Sequence, residues 1–398
     1  MDANQCNEAA IGLRDSCLAD PTQPDFDALD RILRAAVDHD RTLAVAAARA
    51  LIRTVVEELS DRFEPALAQC YVEIFSRAIS AVQPTFSDRF LRQRYTDLRA
   101  APTRPLAGPS PRNAIVLSRI TLGADIAVTS VFIQALRARL PGATIWFAGP
   151  AKNFELFAAL PNVRHWPLSY PRGGTLEERF AAVRALDGAF DRGDTWLVDP
   201  DSRISQLGLL PVAPLSSSLF FESRSFAPDS TASLGALASQ WCMANLEVDN
   251  AGAVVAPAVQ SHPFDGLAPE DGRICLSLGV GNNEAKRLSP RFEADLLRLL
   301  LESGRDVWVD AGAGGPEAEA VHQAIAGAGV SSTRTHMLTG SFAGFCQVIK
   351  APLFTSAMIR PASTPPPRWV SPALPCSRAS LTNGCSSDGN PTAGPPAG

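Results

Sequence analysis

The sequence predicts an α/β protein in which two parallel-sheet units follow a small all-α region. Three observations lead to this prediction: helical periodicity up to about residue 100, a proline-rich break after it, and short apolar runs alternating with helical segments beyond residue 112. Strands that alternate with helices are typical of βαβ units and therefore of a mostly parallel sheet. A chain of 398 residues is long enough to form two or three cores of this kind.

The N-terminal region, residues 1–105, is predicted to be a small helical domain with its linker. Apolar side chains recur at three- and four-residue spacing, as in Leu51, Val55 and Leu59 and again in Leu67 and Tyr71. The run 101–112 then carries four prolines. Proline fixes an extended backbone and removes a hydrogen-bond donor, so we interpret this run as a linker.

Two Rossmann-like units are predicted to follow, over 112–260 and 270–350. In the first, buried strands are expected at 114–118, 144–148 and 195–199, with helices at 127–140 and 176–186. In the second, strands at 273–278 and 306–310 flank a helix at 290–303. The last segment, 351–398, has ten prolines among 48 residues and no apolar periodicity, so we expect it to be disordered.

Composition excludes several classes of function. A net charge of −5 provides no basic field for a nucleic acid, and no run approaches the roughly 20 apolar residues that span a bilayer. The N-terminus is acidic where a secretory signal would be basic, which indicates a cytoplasmic protein. The eight cysteines form no C-x-x-C pair and the five histidines are dispersed, so we predict no metal site.

The most informative segment for chemistry runs from Arg119 to Asp125, between the first predicted strand and its helix. This turn lies at the carboxyl edge of the sheet, where open α/β sheets bind ligands. Asp125 is therefore a candidate general base. The alternative is that Asp125 only caps the helix N-terminus.

This segment resembles the first motif of the ADP-heptose:lipopolysaccharide heptosyltransferases, which belong to glycosyltransferase family 9. In that family an arginine, a glycine and an aspartate precede a helix that leads into a Pro-Gly-Ala turn, found here as Pro141-Gly142-Ala143. The resemblance implies a GT-B-like pair of domains, with Asp125 as the base that deprotonates an acceptor hydroxyl and Arg119 in the acceptor site. The family has glycine directly before the aspartate, whereas this chain has Ala124 there and Gly123 one place earlier.

Further site residues are predicted at other strand ends. Asp199 and Asp201 follow a strand, and the resemblance implies that they line the acceptor cleft; the alternative is that they cap or turn the chain. Lys286 and Arg287 resemble the family's Lys-x-Trp-Pro motif, without its tryptophan and with one residue inserted. The resemblance implies that they stabilise the departing diphosphate of the donor; the alternative is that two basic residues before a helix are only solvated.

The remaining donor-site predictions fall on two turns of the second unit. Gly314 and Glu317 belong to a glycine-rich turn after a predicted strand, and Thr339 and Gly340 form a short Thr-Gly turn. A glycine-rich turn alone is a weak signal for a dinucleotide. The resemblance implies that both turns flank the donor nucleotide.

The family's Asp-Ser-x-x-x-His-like motif is missing after Lys350. That motif holds a diphosphate at a helix N-terminus. Synonymous codons exist that, read one base earlier, encode Asp-Ser-Ala-Gly-Gln-His at the expected place. We therefore hypothesise a one-base shift near Lys350, which resequencing of these codons tests.

From this resemblance we predict an inverting, metal-independent glycosyltransferase that needs no cofactor. Its donor is predicted to be a nucleotide-diphosphate sugar and its acceptor a glycan or a lipid-linked molecule. We expect a cytoplasmic protein, with peripheral contact at the inner face of the membrane left open. The alternative is a catalytically impaired nucleotide-sugar-binding or scaffold protein. A nicotinamide-dependent oxidoreductase is disfavoured because the first strand lacks a full glycine fingerprint.

Overall fold

The computed structural model describes residues 1–100, 110–256, 274–278, 288–311, 315–329 and 332–339, and the backbone of 354–356. The N-terminal part is helical. Its helices are α1 (Ala3–Ala19), α2 (Phe26–Ala36), α3 (Arg41–Arg49), α4 (Glu57–Ser60), α5 (Pro65–Val82) and α6 (Asp88–Ala100), and a π-helical stretch, Ala50–Val56, joins α3 to α4.

Local sequence signals explain where these helices begin. The side chains of Asp2, Asp25 and Asp40 each accept a backbone N–H at the start of α1, α2 and α3. Such caps satisfy amides that have no partner within the helix. Pro65 occupies the first turn of α5, where its missing N–H costs nothing.

The first sheet, sheet A, contains five parallel strands in the order β3-β2-β1-β4-β5. Its strands are β1 (Asn113–Leu117), β2 (Thr144–Gly149), β3 (Val163–Pro167), β4 (Thr195–Asp199) and β5 (Ser218–Phe220). The associated helices are α7 (Leu122–Ala124), α8 (Ser130–Arg139), α9 (Ala151–Phe154), α10 (Leu176–Phe180) and α11 (Leu234–Leu246). The strands predicted near 114, 144 and 195 are confirmed.

Two helical predictions need adjustment. The helix expected over 176–186 is an α-helix only as far as Phe180 and continues as a 3-10 helix, Ala181–Leu186. The helix expected over 127–140 is an α-helix only from Ser130 to Arg139. Its first residues belong to a π-helical turn, Asp125–Thr129, which runs directly into α8.

The second sheet, sheet B, contains parallel strands in the order β8-β7-β6-β9. They are β6 (Ile274–Ser277), β7 (Val307–Asp310), β8 (Thr335–Leu338) and β9 (Phe354–Ser356), with α12 (Pro290–Glu302) and α13 (Pro316–Ala328) between them. The segment 351–398 was predicted to be disordered, and β9 departs from that prediction because its backbone pairs with β6. The rest of that segment lies outside the described residues. The α/β fold class, with parallel sheets after a helical region, is confirmed.

Sheet A is covered on both faces. Ala114 and Val116 of β1 pack toward α8 and α11, whereas Ile115 and Leu117 face the opposite core. This alternation follows from the two-residue period of a strand. It explains why β1 is apolar throughout.

The N-terminal helices share one core with the loops of sheet A. Tyr71 and Phe75 of α5 belong to the same buried cluster as Phe180, Leu207 and Phe220. The ring of Phe75 lies 6.1 Å from that of Phe180, in an edge-on arrangement. The helical region is therefore packed against sheet A rather than held only through the linker. The predicted domain boundaries stay a prediction.

Candidate functional site

The strand order of sheet A places a switch point between β1 and β4. The chain proceeds from β1 to β2 and β3 on one side and then crosses to β4 on the other side of β1. Ligands of open parallel sheets bind at such a switch point, at the carboxyl ends of the strands. Arg119 and Asp125 follow β1, and Asp199 and Asp201 lie at the end of β4. The predicted acceptor-side residues are thus brought to the two loops that flank the switch point.

Asp125 is fully buried, and each of its carboxylate oxygens accepts two hydrogen bonds. Oδ1 accepts from the backbone N–H of Arg119 at 2.7 Å and from Thr129 Oγ1 at 2.6 Å. Oδ2 accepts from Ser118 Oγ and from Asn153 Nδ2, both at 2.6 Å. This carboxylate therefore ties together β1, the first turn of the following helix and α9.

The surroundings of Asp125 act on its protonation in opposite directions. Burial raises the pKa of Asp125, whereas its hydrogen bonds from Ser118, Thr129, Asn153 and Arg119 lower it, and the net direction is upward. A base with a raised pKa holds a proton more readily once it receives one. In the described conformation all four hydrogen bonds to Asp125 come from the protein, so the hydroxyl of a ligand would have to replace one of these donors.

Arg119 links the segments that follow β1, β4 and β5. Its guanidinium donates to the carbonyl oxygen of Pro200 at 2.7 Å and to Ser223 Oγ at 3.3 Å. Burial, the first cause, lowers the pKa of Arg119 despite the nearby carboxylate of Asp201. Arginine stays charged in proteins, so this side chain places a positive charge between the loops after β1 and β4.

Asp199 is a buried carboxyl at the end of β4. One of its oxygens accepts from the backbone N–H of Ser202 at 2.8 Å. Burial raises the pKa of Asp199 to about 7, and the neighbouring charge of Asp201 adds to this effect. Near neutral pH this group therefore exchanges a proton readily, in a position beside the switch point.

Asp201 forms a buried ion pair with Arg224. The side chain of Asp201 is 1% exposed and that of Arg224 is 6% exposed. Asp201 Oδ2 also accepts from the backbone N–H and the hydroxyl of Ser223. Within the described part of the chain, Asp201 Oδ1 and Arg224 Nε have no hydrogen-bond partner, and a small rotation that made the pair bidentate would satisfy both atoms.

Two of the predicted donor-side residues can be located. Glu317 lies in the first turn of α13, just after β7, and Thr339 directly follows β8 and is exposed. Because β7 and β8 are adjacent and parallel, both residues lie at the carboxyl edge of sheet B. Lys286, Arg287, Gly314 and Gly340 lie outside the described residues.

Several residues of this constellation were not predicted from the sequence. They are Ser118, Thr129 and Asn153 around Asp125, Ser223 and Arg224 beside Asp201, and Ser277 and Asp310, whose side chains are hydrogen-bonded at 3.0 Å at the ends of β6 and β7. Ser118 and Thr129 lie seven and four residues from Asp125, so local spacing could have suggested them. Asn153 and Arg224 come close only through the order of the strands.

The fold and this site define a class of protein: a two-sheet parallel α/β protein with a buried polar cluster at the switch point of its first sheet. No protein-family model and no curated protein matches the sequence. Among the residues that the structure describes, no helix is long and apolar enough to cross a membrane, and no group of three or more metal-ligating side chains is assembled.

Solved structures similar to this chain include glycosyltransferases. An E. coli heptosyltransferase with ADP is 14% identical, with 61% of this chain and 80% of that chain covered and a TM-score of 0.41. A glycosyl transferase family 9 protein from Veillonella parvula is 16% identical, with 62% and 76% covered and a TM-score of 0.42. The E. coli ADP-heptose lps heptosyltransferase II is 17% identical, with 61% and 78% covered and a TM-score of 0.39.

Proposed function

We propose that this protein is a glycosyltransferase. It transfers a sugar from a nucleotide-diphosphate donor to a hydroxyl of a glycan or a lipid-linked acceptor, with inversion and without a metal ion or cofactor. The observation that carries the proposal is the position of the Arg119-to-Asp125 motif. It lies at the switch point of sheet A, opposite the acidic end of β4. The reaction is assigned to the cytoplasmic side of the membrane.

The proposed reaction is a single displacement at the anomeric carbon. The acceptor oxygen forms the new bond as the bond to the diphosphate breaks, the acceptor proton passes to a base, and negative charge builds on the leaving diphosphate. Asp125 is the proposed base, and Lys286 and Arg287 are the proposed stabilisers of that charge. Glu317 and Thr339 are proposed to contact the donor from the edge of sheet B.

The burial of Asp125 adds one requirement to this mechanism. All four of its hydrogen bonds come from groups of the protein, so an acceptor hydroxyl has to replace one of them. Asn153 is the best candidate to leave, because its Nδ2 also donates to the carbonyl oxygen of Ile120 at 3.2 Å and can keep that partner. We propose that acceptor binding displaces Asn153 from Asp125.

The second candidate function is a nucleotide-sugar-binding or scaffold protein without catalysis. It is favoured by the same observation that constrains the first: Asp125 is fully buried and all of its acceptor positions are occupied. In that case Asp125 only organises the turn after β1.

One experiment separates these functions. The purified full chain is titrated calorimetrically with ADP, UDP and GDP and with their sugar conjugates. The conjugates that bind are then incubated with glycan and lipid-linked acceptors, and products are detected by mass spectrometry with and without EDTA. Binding with EDTA-insensitive transfer supports the transferase. Binding without transfer to any acceptor supports the scaffold, and no binding to any nucleotide rejects both.

A further inference from the structure

Three side chains of α5 and α6 donate hydrogen bonds to the segments that follow β4 and β5. Tyr71 of α5 donates its hydroxyl to the carbonyl oxygen of Gln206 at 3.1 Å. Arg94 of α6 donates to the carbonyl oxygen of Ala213 at 2.8 Å. Arg99 of α6 donates to Ser225 Oγ at 2.9 Å. Each contact joins residues more than 100 positions apart, so it belongs to the tertiary fold and not to local turn geometry.

The acceptor loop, defined here as residues 199–210, has an unusual backbone. Asp201, Gln206 and Leu207 adopt φ angles of 68°, 51° and 58°, in the left-handed region that disfavours residues with a side chain. Leu207 is the most unfavourable of the three because it has neither the flexibility of glycine nor a short polar side chain. Strained residues of this kind persist only where the surrounding structure holds them, and they concentrate at functional sites.

Contacts with the N-terminal helices hold Gln206 and Leu207 in this conformation. Leu207, Leu209 and Leu210 are buried in the same core as Tyr71. The Tyr71 hydroxyl fixes the Gln206 carbonyl, and Gln206 Nε2 in turn donates to the carbonyl oxygen of Arg203 at 2.7 Å. A chain of hydrogen bonds thus leads from α5 to Arg203, two residues beyond Asp201.

Arg94 of α6 lies beside the same loop and contacts the segment that follows it. Its side chain is buried, with 7% exposed, and it lines a small cavity of about 10 Å³ together with Asp199, Ser205 and Gly208. Through Ala213 it also fixes the chain that leads from the acceptor loop to β5. The middle of the loop and the segment just after it are therefore held by helices that precede sheet A in the sequence.

We propose that Tyr71 is a positioning residue of the acceptor loop, with Arg94 as a second one. Contacts of the N-terminal helices then fix the positions of Asp201 and Arg203 at the switch point. The part of this inference in which the loop binds an acceptor rests on the proposed function. The positioning role predicts that removing a single hydroxyl from α5 loosens a loop more than 100 residues later, without loosening sheet A.

The test compares Tyr71→Phe with Ser76→Ala in the full chain by amide hydrogen exchange. Ser76 is a matched control because it is a buried hydroxyl on the same helix whose one hydrogen bond within the described residues is to the carbonyl oxygen of Glu73, at 3.1 Å. In Tyr71→Phe we expect exchange of the amides in 199–210 to rise roughly 2- to 12-fold, the range for loss of one hydrogen bond. Exchange in β1 and β2 should not change, and Ser76→Ala should leave the loop at the wild-type rate.

Two results would overturn the proposal. One is unchanged exchange of the loop in Tyr71→Phe. The other is a rise of equal size in β1, β2 and the loop, which would mean that Tyr71 only contributes to overall stability. The exchange measurement decides this question even if the protein transfers no sugar. If transfer is found, Tyr71→Phe should raise the acceptor KM and leave the donor KM unchanged, and a change in the donor KM alone would contradict the proposal.

Discussion

Asn153 donates a hydrogen bond of 2.6 Å to Asp125 although the two residues are 28 positions apart. The same amide nitrogen donates to the carbonyl oxygen of Ile120 at 3.2 Å. Ile120 has a φ of 70°, in the left-handed region. Asn153 therefore contacts both the buried carboxylate and the residue of the turn after β1 whose backbone is strained. The conformation of this turn is therefore set jointly by α9 and by β1.

Replacing Asn153 with a second carboxyl group should disrupt this turn. In Asn153→Asp two buried carboxylates are in contact, and one of them must hold a proton. We expect the free energy of unfolding to fall by about 3 kcal/mol at pH 8, and by less at pH 5, where the shared proton allows one carboxyl to donate to the other. Urea unfolding at both pH values measures this.

Asn162→Asp is the control for that substitution. The side chain of Asn162 donates to the carbonyl oxygen of Ala143, as that of Asn153 donates to Ile120. Unlike Asn153, Asn162 has a left-handed φ of 59°, is only partly buried and, among the described residues, is not hydrogen-bonded to a carboxylate. It should show a smaller loss. An equal loss in both variants, or a loss at Asn153 that does not depend on pH, would contradict the interpretation.

A methyl group at Gly149 should displace Ser118 from Asp125. A Cβ atom built on Gly149 would lie 2.3 Å from Ser118 Cβ and 2.9 Å from Phe147 Cε1, which is closer than atoms can approach. We expect Gly149→Ala to lower the free energy of unfolding by about 2 kcal/mol, as overpacking typically does. Gly142→Ala is the matched control, because a Cβ atom there meets nothing within 4 Å. Urea unfolding of both variants tests this, and equal stabilities would contradict it.

Asp199 should make stability depend on pH. Its pKa rises from an unfolded value of 3.8 to about 7 in the fold, so between these values the folded protein keeps a proton that the unfolded chain releases. Stability should fall as pH rises through this window, by up to about 1.4 kcal/mol per pH unit, and the loss is complete above it. Burial also raises the pKa of Glu222, which adds a slope of the same sign.

Asp199→Asn removes the ionisation while its side-chain oxygen can still accept from Ser202. We expect the fall in melting temperature between pH 4.5 and pH 8 to be smaller in this variant than in the wild type. Asp187→Asn, at an exposed carboxyl, is the control and should follow the wild type. If Asp199→Asn and the wild type give parallel curves, Asp199 is not the group responsible.

Removing one partner of the Asp201–Arg224 pair should cost more than removing both. Arg224→Met removes the cation that is paired with the buried side chain of Asp201, and we expect a loss of about 3 to 5 kcal/mol. Adding Asp201→Asn should recover part of it, because a neutral amide needs no counter-charge and asparagine tolerates the φ of 68° at this position. A double-mutant cycle by urea unfolding measures the coupling. Additive losses would mean that the two side chains do not stabilise each other.

The sequence predicted the elements with strong periodicity and missed those without it. The predicted strand at 195–199 coincides with β4 because Trp196, Leu197 and Val198 form an uninterrupted apolar run. By contrast, β3 carries Arg164 and His165 and lies at the edge of sheet A, so it has no clear apolar pattern.

The candidate site was predictable to a similar degree. Asp125 and Asp199 could be expected at the sheet edge because each is tied to a strand end in the sequence. Their burial could not be predicted, because it depends on packing between distant segments. Asn153 contacts Asp125 only because α9 follows β2, the neighbour of β1, and the N-terminal helices contact the acceptor loop across more than 100 residues.

Asp125→Asn tests whether the buried carboxylate is a base or only an organiser of the turn. Both roles predict lower stability, since the new amide group faces donors where the carboxylate accepted from them. If Asp125 is the base, sugar transfer should also fall by about 10²- to 10⁴-fold in this variant, with the affinity for the nucleotide-sugar unchanged. Thr129→Val separates the two roles, because it removes the 2.6 Å hydrogen bond from the Thr129 hydroxyl and leaves the carboxylate of Asp125 in place. If Thr129→Val lowers transfer far less than Asp125→Asn at a comparable loss of stability, the carboxylate itself takes part in the reaction; if the two variants lose transfer equally, its role is structural.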